Sequence, residues 1–401
     1  MFSIATLISL ILAATCAAQT WTEARVLELF AQQSPQAVAA RAQIAVTRAE
    51  AQGRGLYANP SFSYSREGAG FTEFFQAEQT LPLNGRIGIL RQAVAPASAA
   101  AEADAEALIW QLRSELRLTF YRLLALQDRG GVLDGTIRDL QEVIRVLSVR
   151  EKEGEGSRFD RLRWERELVE IRAEVAMLRL QAAQAKSRML EFLPPGTEIA
   201  NVEGAAPAQA LPPLPQLQER ALTSRAELRA SRQVGVRLRL EEQAAARLRY
   251  PEPLVSAGWK RADEPNLMRA QNGAVVGVTI PIPSFNRGQA EVSKLQAEQT
   301  RAEAQRRALE HQIRAQVDGA YHVLQLRRES VENYRRELGS RNEELLKIAQ
   351  TAYQEGEFGI LELLDVFRLR RQSQQRLIEL SAAAKEAQIE LEKVMGSEVA
   401  Q

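Results

Sequence analysis

The sequence predicts a mainly α protein with a small β part, made of duplicated long coiled-coil helical hairpins and four strands per chain. Three observations predict it. About half of the 401 residues are Ala, Leu, Glu, Lys or Arg, the composition of very long helices when the apolar period agrees. Apolar residues recur every seven positions over long stretches of both halves. The second half also echoes the first in order, about 200 residues later.

Residues 2–18 are an apolar run ending in small residues, with Cys16 and Ala18 at the spacing of a secretory cleavage site. No Lys or Arg precedes Arg25, so the usual basic start is missing, yet an export signal over residues 1–18 remains the expectation. Cys16, the one cysteine, is a candidate for lipidation. Ala13-Ala14-Thr15-Cys16 departs from a lipoprotein box, however, which normally opens on Leu and has Gly or Ala before the Cys. Beyond residue 20 no run is long and apolar enough for a membrane-spanning helix, so any membrane role must come from strands.

The echoes define two repeats. Asn59-Pro60-Ser61-Phe62 is matched by Glu252-Pro253-Leu254-Val255, and Thr80-Leu81-Pro82-Leu83-Asn84-Gly85-Arg86 by Thr279-Ile280-Pro281-Ile282-Pro283-Ser284-Phe285-Asn286-Arg287-Gly288. Glu153-Gly154-Glu155-Gly156 is matched by Glu355-Gly356-Glu357-Phe358. The expected division is a first repeat over 19–193, a Pro/Ala/Gly-rich linker over 194–215, and a second repeat over 216–401. Each repeat reads as helix, two strands, very long helix, Gly-containing turn and returning helix.

In the first long helix Ile109, Leu116, Leu123, Gly130, Ile137 and Ile144 form one seam series, with Leu112, Thr119, Leu126, Leu133, Leu140 and Leu147 interleaved. The phase passes through Gly130-Gly131 without reset, which predicts one continuous helix from near Arg86 to Lys152. Its twin, with Val317, Leu324, Val331, Leu338, Leu345 and Ala352, is expected from near Arg287 to Gln354. For the return helices the expected seams are Leu162, Val169, Ala176, Ala183 and Leu190, and Leu377, Ala384 and Leu391.

The strands show period-two alternation. Ser61-Phe62-Ser63-Tyr64-Ser65 is the clearest; Val255, Ala257 and Trp259 share a face, as do Ala274, Val276, Val278 and Ile280. The stretch from Phe71 to Leu81 is less regular. Soluble hairpins capping a bundle and membrane-spanning strands are both compatible with this alternation. In lipid, four strands would leave two unpaired edges and would have to close through further copies of the chain.

Composition excludes other classes. A net charge of +1 is not that of a broadly basic nucleic-acid binder. Two His, one Cys and five Met supply little metal or nucleophile chemistry, and no phosphate-binding loop or metal-ligand spacing occurs. His311 and His322 lie roughly 16 Å apart along a helix, too far to share a metal. No cofactor is expected.

Taken together, the duplicated plan, Asn59-Pro60, the Ile280-Pro281-Ile282-Pro283-Ser284-Phe285-Asn286-Arg287-Gly288 segment and Tyr353-x-x-Gly356 followed by Leu363-Leu364-Asp365-Val366 resemble the TolC-like outer-membrane factors. The Pro-x-Pro-x-Phe-Asn-Arg segment looks most like their heavy-metal-efflux branch. The resemblance implies a homotrimer whose helices form an α-barrel in the periplasm and whose twelve strands form one β-barrel in outer-membrane lipid. It implies a passive exit duct, docked on a periplasmic adaptor and an inner-membrane efflux pump, with no reaction of its own. It also implies that Asp160, Glu362 and Asp365 ring a constricted entrance and that Tyr353 lies in the gate region. Gly154, Gly156, Gly356 and Phe358 would be turn or adaptor-contact positions. Phe358 stands where some relatives carry an Arg latch, which puts a salt-bridged latch in doubt. Asp160 and Glu362 also read simply as acids favoured at helix starts. A periplasmic adaptor and a structural coiled-coil scaffold are the competing readings; the two hairpins and repeated strand pair count against the first, and the sustained strands and Pro-rich turns against the second.

Overall fold

A computed structural model describes residues 20–68, 71–204, 211–262, 271–338, 341–355 and 357–399. The expected signal segment, Cys16 and Gly356 lie outside them. The elements follow in the order β1 (Thr20–Thr22), α1 (Glu23–Gln33), α2 (Pro35–Arg54), β2 (Ser61–Glu67), β3 (Thr72–Thr80), α3 (Arg86–Gln92), α4 (Val94–Lys152) and α5 (Arg158–Leu190). After β4 (Asn201–Glu203) come α6 (Leu214–Ser224), α7 (Ala226–Ala246), β5 (Leu254–Ala262), β6 (Gln271–Thr279), α8 (Gln289–Leu338), α9 (Arg341–Gln354) and α10 (Ile360–Met395).

Proline places the breaks in the first half. Ser34 takes an extended conformation, as a residue before Pro must, and Pro35 starts α2 where its missing N–H is no loss. Pro96 cannot donate to the carbonyl of Gln92, and the helix expected from Arg86 is divided at Ala93. From Val94 it runs 59 residues, roughly 88 Å, straight through Gly130-Gly131. In the second half α8 ends at Leu338 and α9 starts at Arg341; the intervening residues of the expected single helix lie outside the described ones.

The chain forms two compact units. One comprises Met1–Ala37, Leu112–Ala210 and Ala320–Leu391. Its core is the α4 seam: Leu116, Leu123, Leu133 and Leu140 are almost wholly buried. Trp21, on a short parallel β1–β4 pair absent from the sequence reading, donates its indole N–H to the Glu198 carbonyl, 3.0 Å away.

Two seam expectations are corrected in this unit. On α5, Leu162, Val169, Ala176, Ala183 and Leu190 are exposed. The buried face is Trp164, Leu168, Ile171, Val175, Leu178, Ala185 and Met189, a parallel stripe of larger side chains that excludes more water. On α9, Leu345 is exposed, and Leu346, Ala349 and Ala352 carry the burial. On α10, Leu391 is buried as expected, while Leu377 and Ala384 are only half-buried.

The other unit comprises Val38–Gln111, Leu211–Gly319 and Glu392–Gln401. It contains an antiparallel sheet in the order β2-β3-β5-β6, so the two hairpins of the two halves pair with each other through β3 and β5. Leu238 and Ala245 of α7 pack on Leu295 of α8, with Val234, Val292 and Ala302 around them.

Candidate functional site: the helical turns and the sheet

At the first helical turn, Gly154 has φ +80°, a conformation that favours glycine, and a Cβ on Gly156 would lie 2.9 Å from the Glu151 amide nitrogen. Ser157 caps α5 by accepting from the Phe159 N–H at 3.2 Å. Arg161 Nε donates to Glu151 Oε2 at 2.6 Å and its Nη1 to Glu165 Oε1 at 2.5 Å, which ties α5 back to the end of α4. That hydrogen bond holds the Glu151 carboxyl below its ordinary value.

The second turn folds over the Ala352 carbonyl, which accepts from both Glu357 and Phe358 N–H groups. The two turns meet through Arg150, whose Nη1 donates to Tyr353 Oη at 3.1 Å and whose guanidinium stands 5.4 Å from the ring centre. Tyr353 is therefore a contact between the two turns. Asp160 is half-buried in the first turn of α5, and Glu362 and Asp365 are exposed on α10. Asp365 lies 3.7 Å from Arg368 of its own helix. Phe358 and Phe159 are both exposed beside their turns.

The sequence reading missed what joins the return helices. Trp164 of α5 is fully buried and meets Phe367 of α10 edge-on, with ring centres 5.7 Å apart. Next to it, Arg368 Nη2 donates to Glu167 Oε2 at 2.5 Å. Arg371 Nη1 and Gln375 Nε2 each donate to Glu174 at 2.9 Å. The signal was available: Glu167 and Glu174 are one heptad apart, and Arg368, Arg371 and Gln375 follow helical spacing. A seam search limited to apolar residues passes over it.

The sheet has two unlike faces. Register puts Phe62 with Ala77, Ala257 and Val276, and Tyr64 with Phe75, Trp259 and Ala274, on one face. Gln79, Val255 and Val278 make a further row of it. At its far end stand Arg66, Glu73, Arg261 and Asn272. The opposite face carries Ser61, Glu78, Ser256 and Gly277, then Ser63, Gln76, Gly258 and Val275, then Ser65, Phe74, Lys260 and Gly273. On the apolar face Phe62, Tyr64, Trp259, Val276 and Val278 are all exposed, and on the opposite face so are Ser61, Ser63, Ser65 and Lys260. Strands β2 and β6 are the sheet's edges.

No described helix is long and apolar enough to cross a membrane. Among the described residues no group of three or more His, Cys, Asp or Glu could hold a metal ion.

Comparison with known proteins agrees with this arrangement. CusC, solved in a study of folding and transmembrane channel formation, superposes with a TM-score of 0.73 at 17% identity, over 94% of this chain and 92% of that one. The outer-membrane channel OprN gives 0.75 at 18%, over 94% and 91%. The open state of the MtrE outer membrane channel of Neisseria gonorrhoeae gives 0.71 at 14%, over 94% and 89%. The fold is that of the outer-membrane channels. Residues 217–397 match the family described as outer membrane efflux protein. Cobalt-zinc-cadmium resistance protein CzcC of Cupriavidus metallidurans is 24% identical over 288 residues, 71% of this chain and 68% of that protein. The family match lies in the second half of the chain, and the likeness to the solved channels carries the same fold over nearly all of it.

Proposed function

We propose that three copies of this chain close one passive duct, with the apolar sheet face toward lipid, the polar face toward the lumen, and the two helical turns at the periplasmic entrance. The observation that carries this reading is the sheet: one apolar face, one polar face and two unpaired edges. In lipid an unpaired edge leaves backbone groups unsatisfied at several kcal/mol each, and pairing β6 of one copy with β2 of the next removes it. The element order of residues 19–193, repeated over 216–401 after a linker at 194–215, supports a duct wall built of two similar halves per copy.

At the entrance, Asp160, Glu362 and Asp365 would each occur three times, and a ring of carboxylates in a narrow pore attracts cations. Arg150 on Tyr353 would join neighbouring turns, and the turn residues Gly154, Gly156, Gly356 and Phe358 would meet a periplasmic adaptor. The adaptor and an inner-membrane pump supply the energy; the duct carries out no reaction. The likeness to CzcC supports divalent metal cations as cargo.

Single-channel recording in planar bilayers tests this. The native protein should show a low, cation-selective conductance, and changing Asp160, Glu362 and Asp365 together to Ala should remove most of the selectivity. Selectivity unchanged by the triple substitution would move the constriction elsewhere. Absence of any pore would overturn the duct.

A further inference from the structure

We propose that the two strand-to-helix elbows, residues 81–85 and 280–288, are embedded in the periplasmic leaflet of the outer membrane and complete the lipid-facing band that the strands leave too short. The proposal rests on the outer-membrane reading above and adds where the lipid ends.

The elbows leave the sheet at one level, because Thr80 and Thr279 both stand opposite Leu254. They are also built alike. Leu83 N–H donates to the Leu81 carbonyl and Ser284 N–H to the Ile282 carbonyl, each at 2.8 Å. The side chains of Asn84 and Asn286 then accept from Arg86 and Gly288 N–H groups at 3.1 and 3.0 Å, and Gly85 and Gly288 take φ of +76° and +79°. Pro82, Pro281 and Pro283 have no N–H to leave unsatisfied in lipid. These tight turns nevertheless hold out large apolar side chains: Leu83 is 75% exposed, Ile280 56%, Ile282 82% and Phe285 95%. Soluble surfaces avoid such a cluster.

Acyl chains fit it better than another protein does, because the cluster continues the lipid face of the sheet. Ile280 and Ile282 extend the alternation of Ala274, Val276 and Val278, and Leu81 and Leu83 that of Phe75 and Ala77. The strands themselves supply little height. From Ala274 to Val278 is about 13 Å along the strand, and tilt shortens it further, whereas an outer-membrane barrel presents an apolar band about 25 Å tall. The polar row Arg66, Glu73, Arg261 and Asn272, three of them charged, bounds the band at the other end, so the missing height falls on the elbow side.

The test uses full-length protein in phosphatidylethanolamine/phosphatidylglycerol liposomes, spin-labelled at Leu83→Cys, Ile282→Cys or Phe285→Cys, with native protein labelled in parallel to account for Cys16. Val276→Cys serves as the lipid reference and Val323→Cys, on exposed α8, as the water reference. Power saturation should give the elbow sites the high oxygen and low nickel-chelate access of Val276, at least three-fold different in their ratio from Val323. Elbow sites that read like Val323 while Val276 reads lipid would overturn the elbow proposal and leave the duct intact. Elbow sites shielded from both reagents would overturn it in favour of a protein partner. A water-like Val276 would overturn membrane insertion of the sheet itself.

Discussion

Trp164 combines complete burial with an indole N–H that has no hydrogen-bond partner. Its contribution is therefore the packing of the ring on Phe367, offset by the cost of an unmade hydrogen bond. Trp164→Phe should cost less than about 2 kcal/mol, and Trp164→Ala about 3–5 kcal/mol, in denaturant unfolding of the detergent-solubilised protein. Glu23 makes the opposite case. Burial pushes its carboxyl up, but the Tyr121 hydroxyl and the Arg117 guanidinium outweigh this and hold it below the ordinary carboxylate value. A lowered folded-state value gives stability that is present above the unfolded pKa and is lost as pH falls through the folded one. Glu23→Gln should thus be less stable than native at neutral pH, and the difference should shrink as pH falls below the ordinary carboxylate range in thermal melts across pH.

At the scale of elements, α5 carries two apolar stripes at heptad spacing, and a single chain can bury only one of them. Trp164 to Met189 faces the chain's own core. Leu162, Val169, Met177, Leu180 and Leu190 stay exposed, an arrangement costly in a monomer but useful where another copy packs. Val169→Asp places a charge in the middle of that stripe. In size-exclusion chromatography with light scattering it should shift the assembled native protein toward monomer while leaving the helical circular dichroism unchanged.

For the whole molecule, four strands with two free edges mean that the closed barrel proposed above would be a property of the assembly. Hydrogen exchange should show this directly. In the assembled protein the amides of β2 and β6 should be protected nearly as well as those of β3 and β5; in the Val169→Asp monomer, the edge strands should exchange fast and the central pair remain slow. Edge strands that exchange fast even in the conducting assembly would argue against closure by strand pairing. The conductance measurement belongs to this scale too, because a ring of acids exists only once several copies meet.

Much of this was legible in the chain because it depends on local chemistry that a residue carries with it. The seven-residue period of Leu133, Leu140 and Leu147 requires a long helix whatever it packs against, and Gly130-Gly131 could not interrupt a phase held on both sides. Gly154 and the alternation of Phe62 and Tyr64 are equally local, and so were the four strands of the larger sheet, whereas the β1–β4 pair was not. What only the tertiary structure decided was the choice between equivalent options. Two stripes on α5 have the same period, and burial by neighbouring helices selected the one beginning at Trp164, so the seam expected from Leu162 lies outside. The pairing of β3 with β5, the Arg150–Tyr353 contact and the Glu167–Arg368 bridge each join residues some 170 or more positions apart. A pattern along the chain fixes which face a residue takes, but not which distant face it meets; that follows from which apolar surfaces remove the most area from water.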